Sequence, residues 1–238
     1  MTGRRAPDER AGARYRHDAL AVVLRVSGGR LDVLLWQRGA NPHAGRWALP
    51  GGPVTAAENL GASVARQLAA KVDVRALSHL EQLETRSDPD RHPPERIIAT
   101  AYLGLVPADA DPALPADTAW HDVQELPPAA FDHGSIVASG VARLRSKLSY
   151  TNLGFALAKP SFTISQLREV YAAALGYDVS ATNLQRVLAR RNAIEPTGQT
   201  TVPGRSGGRP AAIYRFCSHA LEVTYPFAAL RPPTAAAG

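Results

Sequence analysis

A single cysteine, Cys217, stands among 238 residues. An internal disulfide framework and a cysteine-based zinc site are therefore both excluded. Long apolar runs are also missing. The most apolar stretch near the start, "ALAVVL", falls far short of the roughly 20 residues that span a bilayer. The opening "MTGRRAPDERAGARYRHD" is basic in places, but no apolar segment of signal-peptide type follows it. Runs of like charge stop after a few residues, so there is no polybasic tail, and no internal repeat is visible. The expected location is the cytoplasm.

The remaining composition is that of a globular chain. Hydrophobic residues make up 45% and charged residues 20%, enough apolar material for real cores, and the length suits two domains. The net charge of +6 is unevenly spread. Residues 145–238 hold 11 Lys and Arg against 4 Asp and Glu, whereas residues 1–144 hold 16 against 17. That asymmetry points to a polyanionic partner for the second half, with a plain basic surface as the alternative.

Pattern divides the chain in the same way. Beyond an arm of about 17 residues, "ALAVVLRV" and "LDVLLWQRG" read as strands joined by a Gly-Gly hairpin, "SGGR". A helix at roughly 58–71 puts Leu60, Val64, Leu68 and Val72 on one stripe. "HLEQLETRS" and "RIIATAYLGLV" follow as strands around a polar, proline-containing loop. "AWHDVQEL" suits a last strand or turn, and "SIVASGVARLRSKLSY" a closing helix. This order is α+β: a mixed sheet with flanking helices over 18–150.

After a break ending at Lys159-Pro160, Thr163 and Gln166 form a capping-box pair at the start of a helix that stops at Gly176. A second helix, from Ser180, is expected to end at Pro196 and Gly198, and "GRSGGRPAAIYRF" reads as a turn and strand. Two helices and a hairpin make a winged helix-turn-helix over 151–226. Residues 227–238 are expected to be a disordered tail.

In the second helix, Leu184, Val187 and Leu188 share a side, while Asn183, Arg186 and Arg190 fall on an adjacent face. Asn and Arg suit adenine and guanine edges in a major groove. Thr182, Gln185 and Arg191 complete the candidate DNA-contacting set on the helix, and Arg205 and Arg209 supply a candidate wing. An ordinary solvated helix face is the competing reading.

The front half carries "ALPGGPVTAAENLGASVARQLAAKVDV". Gly52, Glu58 and Arg66 sit at the spacing of a Nudix box, which the stretch resembles. That resemblance implies the Nudix fold and a pocket for a nucleoside diphosphate linked to another group. The box's cluster of acids is replaced by Gln67, Ala70 and Lys71. Pyrophosphate hydrolysis of this type needs Mg²⁺ held by several carboxylates, so no enzyme activity, metal or required cofactor is expected. Glu81 and Glu84 read as solvent-side strand residues. Arg46, Arg91 and Arg96 are candidates for a pyrophosphate and Trp47 for a base or ribose, with Gly52 and Glu58 completing the candidate effector set. Solvated loop charges and a core tryptophan are the alternatives.

A disabled Nudix domain joined to a winged helix resembles the NrtR family of Nudix-related transcriptional regulators of NAD metabolism. The likeness extends to "SDPDRHPPERIIATAYLGL", "AFDHGSIV", "FTISQLREVY" and "NLQRVLARRN". It implies a homodimeric, nucleoid-associated repressor on a palindromic operator, with ADP-ribose or NAD as effector. Two other readings stay open: an ADP-ribose or NAD pyrophosphatase using carboxylates outside the box, and a nucleotide-binding protein whose basic domain contacts RNA or protein.

Overall fold

The computed structural model describes residues 15–72, 74, 77–110, 112–201 and 210–225. Of the expected arm over residues 1–17, residues 1–14 lie outside the described residues, as do the expected wing residues Arg205 and Arg209 and the expected tail. Arg16 and His17 are not arm but the start of the first strand, paired with Ile97 and Ile98.

Strand β1 (Arg16–Ser27) turns through Gly28 and Gly29, at φ 57° and 76°, into β2 (Arg30–Gln37). Two successive positive φ values are what a two-residue hairpin with the right twist demands. The strands β3 (Trp47–Ala48), β4 (Gly51–Pro53), β5 (His79–Arg86), β6 (Ile97–Leu105) and β7 (Thr118–Asp122) complete a sheet ordered β3-β2-β1-β6-β5. Within it β4 also pairs with β1, and β7 with β2. β1 runs parallel to β6 and antiparallel to β2, so the sheet is mixed.

Helices cover both faces. Ala19, Ala21 and Val23 of β1 pack with Val64, Leu68 and Val72 of α1 (Leu60–Val72). Leu20, Val22 and Leu24 pack with Ile136, Val141 and Leu144 of α2 (His133–Tyr150). Burial on both sides explains why this strand reads as an unbroken apolar run rather than an alternation. Helix α2 comes close to the sheet at Gly140, where a Cβ would lie 2.7 Å from Val22 Cγ1.

The C-terminal part contains β8 (Phe162–Thr163), α3 (Ile164–Leu175), α4 (Ala181–Arg190), β9 (Ile194–Thr200) and β10 (Ala212–Phe216), with a small sheet ordered β8-β10-β9. This is a winged helix. The capping box is formed: Gln166 N–H donates to Thr163 Oγ1 (3.3 Å), and Thr163 N–H to Gln166 Oε1 (2.8 Å). Gly176 closes α3 at φ 81°.

One expected boundary is corrected. Helix α4 ends at Arg190, well before Pro196 and Gly198, which lie inside β9. Asn192 takes φ 52°, a conformation asparagine tolerates and an α-helix does not continue through. Pro196 is acceptable in β9 because that strand is an edge of its sheet.

Where the sequence texture changes, the core does not. Leu153, Phe155, Ala156 and Leu157 are buried in one continuous cluster with Leu144 of α2 and Leu167, Leu184 and Phe216 of the winged helix. Asn152 ties this segment to the end of the described chain, donating to Ala220 O (2.8 Å) and accepting from Glu222 N–H (2.8 Å). Only at Lys159 and Pro160 does the chain become exposed.

Candidate functional site

The two retained polar residues of the box bind each other. Arg66 at mid-α1 donates to both oxygens of Glu58, at 2.5 and 2.8 Å, and to Pro53 O at 3.1 Å. Thr55 N–H donates to Glu58 as well (2.8 Å). These bonds hold the Glu58 carboxyl down to about 2. Glu58 and Arg66 therefore pin the loop that follows β4 onto α1.

The acid positions behave differently. Gln67 is buried, its amide packed so tightly on Gly52 that a Cβ there would stand 2.8 Å from Nε2. Ala70 is exposed. Lys71 reaches back under the sheet: its Nζ donates to Gly51 O at 2.5 Å and lies 4.6 Å from the centre of the Trp36 ring. Burial, with the nearby Arg38 charge, draws its pKa below the ordinary lysine value. The fold implies Mg²⁺, and this donor set does not fit it, since hard divalent ions take carboxylate and carbonyl oxygens. Among the described residues no cluster of three or more His, Cys, Asp or Glu side chains is arranged to hold a metal.

Lys71 and Gly52 line a cleft of about 340 Å³, together with Arg16, Asp18, Arg38, Arg91 and Glu95. Arg16 is committed to Asp18 (3.1 Å) and Glu95 (2.6 Å). Arg91 pairs with Asp132, the residue preceding α2. Burial by itself would raise the Asp132 pKa, but the Arg91 hydrogen bonds outweigh it and hold the carboxyl below its usual range. The mouth is aromatic: His92 stacks on Phe131 at 4.3 Å, and the Arg38 guanidinium lies over the same ring at 4.9 Å. Behind it, buried His133 accepts from Leu49 N–H (3.0 Å), and desolvation pushes its pKa down to about 3.

Of the expected effector residues, this cleft brings together Gly52 and Arg91. The others lie elsewhere. Arg46 is exposed, Trp47 packs edge-on against His121 (4.3 Å), Glu58 holds Arg66, and the Arg96 guanidinium lies 5.0 Å over Tyr15. Sequence reading missed Arg16, Arg38, Lys71, Phe131 and His133 as cleft residues. Phe131 and His133 stood in the quoted "AFDHGSIV", but only tertiary packing aims them at the box. Glu81 is corrected too. It faces α2 rather than solvent: Lys147 and Arg143 pair with it there, while His79 of its own strand lies 3.2 Å away.

On the winged helix, Thr182, Asn183, Arg186 and Arg190 are exposed along α4. Arg186 Nη2 donates to Asn183 Oδ1 (2.7 Å), so the pair presents a pre-set polar edge. Gln185 turns inward and donates to Tyr214 Oη (2.8 Å), bracing α4 on β10. Arg191 sits over Tyr225 at 5.1 Å. Among the described residues, Arg186, Arg190 and Arg191 form no ion pair.

Comparison with known proteins agrees with both halves. Residues 15–139 match the NUDIX domain, and residues 154–216 match the NrtR DNA-binding winged helix domain. The chain belongs to the NrtR-type, Nudix-related regulators. It is 29% identical over 212 residues to the ADPR responsive transcriptional repressor NtrR of Acinetobacter baylyi, covering 86% of this chain and 83% of that one. The structure of Shewanella oneidensis NrtR complexed with a 27mer DNA is similar with a TM-score of 0.73 and 29% identity, covering 84% of this chain and 92% of that one. The Nudix domain of the same protein, complexed with ADP ribose, matches 58% of this chain and 93% of its own at a TM-score of 0.51 and 29% identity. An ADP-ribose pyrophosphatase of Methanocaldococcus jannaschii is 31% identical over 129 residues, covering 52% of this chain and 73% of that one. No helix among the described residues is long and apolar enough to cross a membrane.

Proposed function

We propose that this chain is a DNA-binding transcriptional repressor that senses ADP-ribose in its Nudix cleft and controls genes of NAD synthesis or salvage. The observation that carries the reading is a single continuous core joining a cleft that, among the described residues, has no cluster of acids arranged for a metal to a winged helix that exposes Asn183, Arg186 and Arg190. Two chains related by a two-fold axis would set two α4 helices into successive major grooves of a palindromic operator. Asn183, Arg186 and Arg190, with Thr182, would face base edges. Arg191 and the wing residues Arg205 and Arg209 would contact the backbone.

ADP-ribose can switch operator affinity only if it favours one dimer geometry over the other. Arg91 offers the route: it lines the cleft and grips Asp132 at the start of α2. Helix α2 in turn meets α3 where Arg145 Nε donates to Ala174 O (3.2 Å). Effector contact is assigned to the cleft residues Gly52 and Arg91, together with Arg16 and Arg38. Arg46, Trp47, Glu58 and Arg96 are assigned to the surrounding framework.

A gel shift on fragments from upstream of NAD genes, titrated with ADP-ribose and separately with NAD, tests this reading. A specific complex dissolved by ADP-ribose is expected. Binding to any DNA with equal strength, or indifference to both nucleotides, would count against it. The likeness to an ADP-ribose pyrophosphatase keeps hydrolysis as the second reading, and Mg²⁺-dependent release of AMP from ADP-ribose would favour it.

A further inference from the structure

The cleft carries a cation where its motif should carry the acids that bind one. Resting on the sensing role given above, we propose that the Lys71 ammonium, held against Gly51 O, takes the place of the divalent cation, so that this cleft binds the diphosphate of its nucleotide without metal.

Four observations lead there. The ammonium has three N–H donors. Gly51 O takes one, the Trp36 ring face lies on another side, and among the described residues no carboxylate forms an ion pair with it. Arg38 is in the same condition, its Nε on Pro42 O (3.1 Å) and its guanidinium over Phe131. By contrast Arg16 and Arg91 are neutralised by Asp18, Glu95 and Asp132. Among the described residues, Lys71 and Arg38 are therefore two positive charges without an ion-pair partner lining one volume, an arrangement that suits a pyrophosphate dianion.

Among the described residues the cleft's carboxylates, Asp18 and Glu95, are both paired with Arg16, and no cluster of three acids stands beside Lys71 and Arg38 to hold a divalent ion. Gln67 is neutral, Ala70 has no side-chain oxygen, and Glu58 is occupied by Arg66 and Thr55 N–H. The ion would also meet the repulsion of Lys71 at close range. A tethered ammonium neutralises phosphate oxygens but activates no water, which matches a cleft that retains its ligand intact.

The test is calorimetric titration of the full chain with ADP-ribose, and with inorganic pyrophosphate as the minimal probe, once in EDTA and once in excess Mg²⁺. Affinity in EDTA at least equal to that in Mg²⁺ is expected, because dissolved Mg²⁺ competes for the diphosphate oxygens. Lys71→Met should weaken both ligands about tenfold or more, the loss of a charge-assisted hydrogen bond. Lys71→Arg should recover most of that loss, a rescue that a purely packing role for the side chain would not produce. Thermal melting checks the fold, and Lys71→Gln serves as the uncharged variant if the methionine melts early. A requirement for Mg²⁺, or an uncharged variant that binds as tightly as the wild type, overturns the proposal and leaves the sensing role standing. Failure of the wild type to bind either probe in either buffer would instead sink the sensing role itself.

Discussion

Arg91 and Asp132 lie 41 residues apart in sequence and are joined by two hydrogen bonds of 2.7 and 3.1 Å. The arginine side chain is only 5% exposed and lines the cleft, while the aspartate stands just ahead of α2. One ion pair therefore connects the candidate ligand volume to the helix that packs on the winged domain.

Breaking that connection should separate sensing from grip. Asp132→Asn keeps the shape but removes the charge, leaving Arg91 poorly compensated. The aspartate is partly exposed, so the expected stability loss is modest, about 1–2 kcal/mol. Operator binding should survive, and the concentration of ADP-ribose needed to dissolve the complex should rise several-fold. A response identical to the wild type would remove this pair from the route.

Arg186→Ala addresses the other end. It removes an exposed guanidinium and its bond to Asn183, with no effect on the core. Operator affinity should fall by about 1–3 kcal/mol with relaxed preference at one base pair. ADP-ribose binding measured by calorimetry should not change. Loss of nucleotide binding instead would overturn the assignment of roles to the two halves.

His133 makes a prediction about pH. Its imidazole stays neutral in the folded state down to about 3, whereas an ordinary histidine protonates at 6.5. The unfolded chain thus binds the proton first, and folding stability falls as pH drops below 6.5. At pH 5 this group alone costs about 2 kcal/mol, at 1.36 kcal/mol per unit. His133→Gln should show a smaller loss of melting temperature between pH 7.5 and 5 than the wild type. That interval lies above the range of Asp132 and Glu58, both held low. Parallel curves for the two proteins would rule the assignment out.

Gly140→Ala tests the packing of α2 on the sheet. The added methyl would stand 2.7 Å from Val22 Cγ1, inside any real contact, in a fully buried layer. A loss of about 1–3 kcal/mol in denaturant melts is expected from overpacking. Val22→Ala should relieve part of it when the two changes are combined, a coupling that a double-mutant cycle reads directly.

Much of this molecule is decided by the chain in its own neighbourhood. The Gly28-Gly29 hairpin, the Thr163–Gln166 capping box and the Gly176 stop are interactions within a few residues, so their signatures stand in the sequence and appear in the structure as read. The missing acids at 67, 70 and 71 are visible for the same reason, because they share one helix at fixed spacing. What only tertiary structure decided is which distant side chains meet. Phe131 and His133 reach the cleft from the start of α2, Glu81 is captured by Lys147 across the β5–α2 contact, and Leu153–Leu157 join two apparent domains into one core. Trp47, a plausible base-stacking residue by type, is turned instead onto His121. Local periodicity reports the face a residue occupies, while the partner across the gap is set by how sheet and helices pack, and that information is spread over the whole chain.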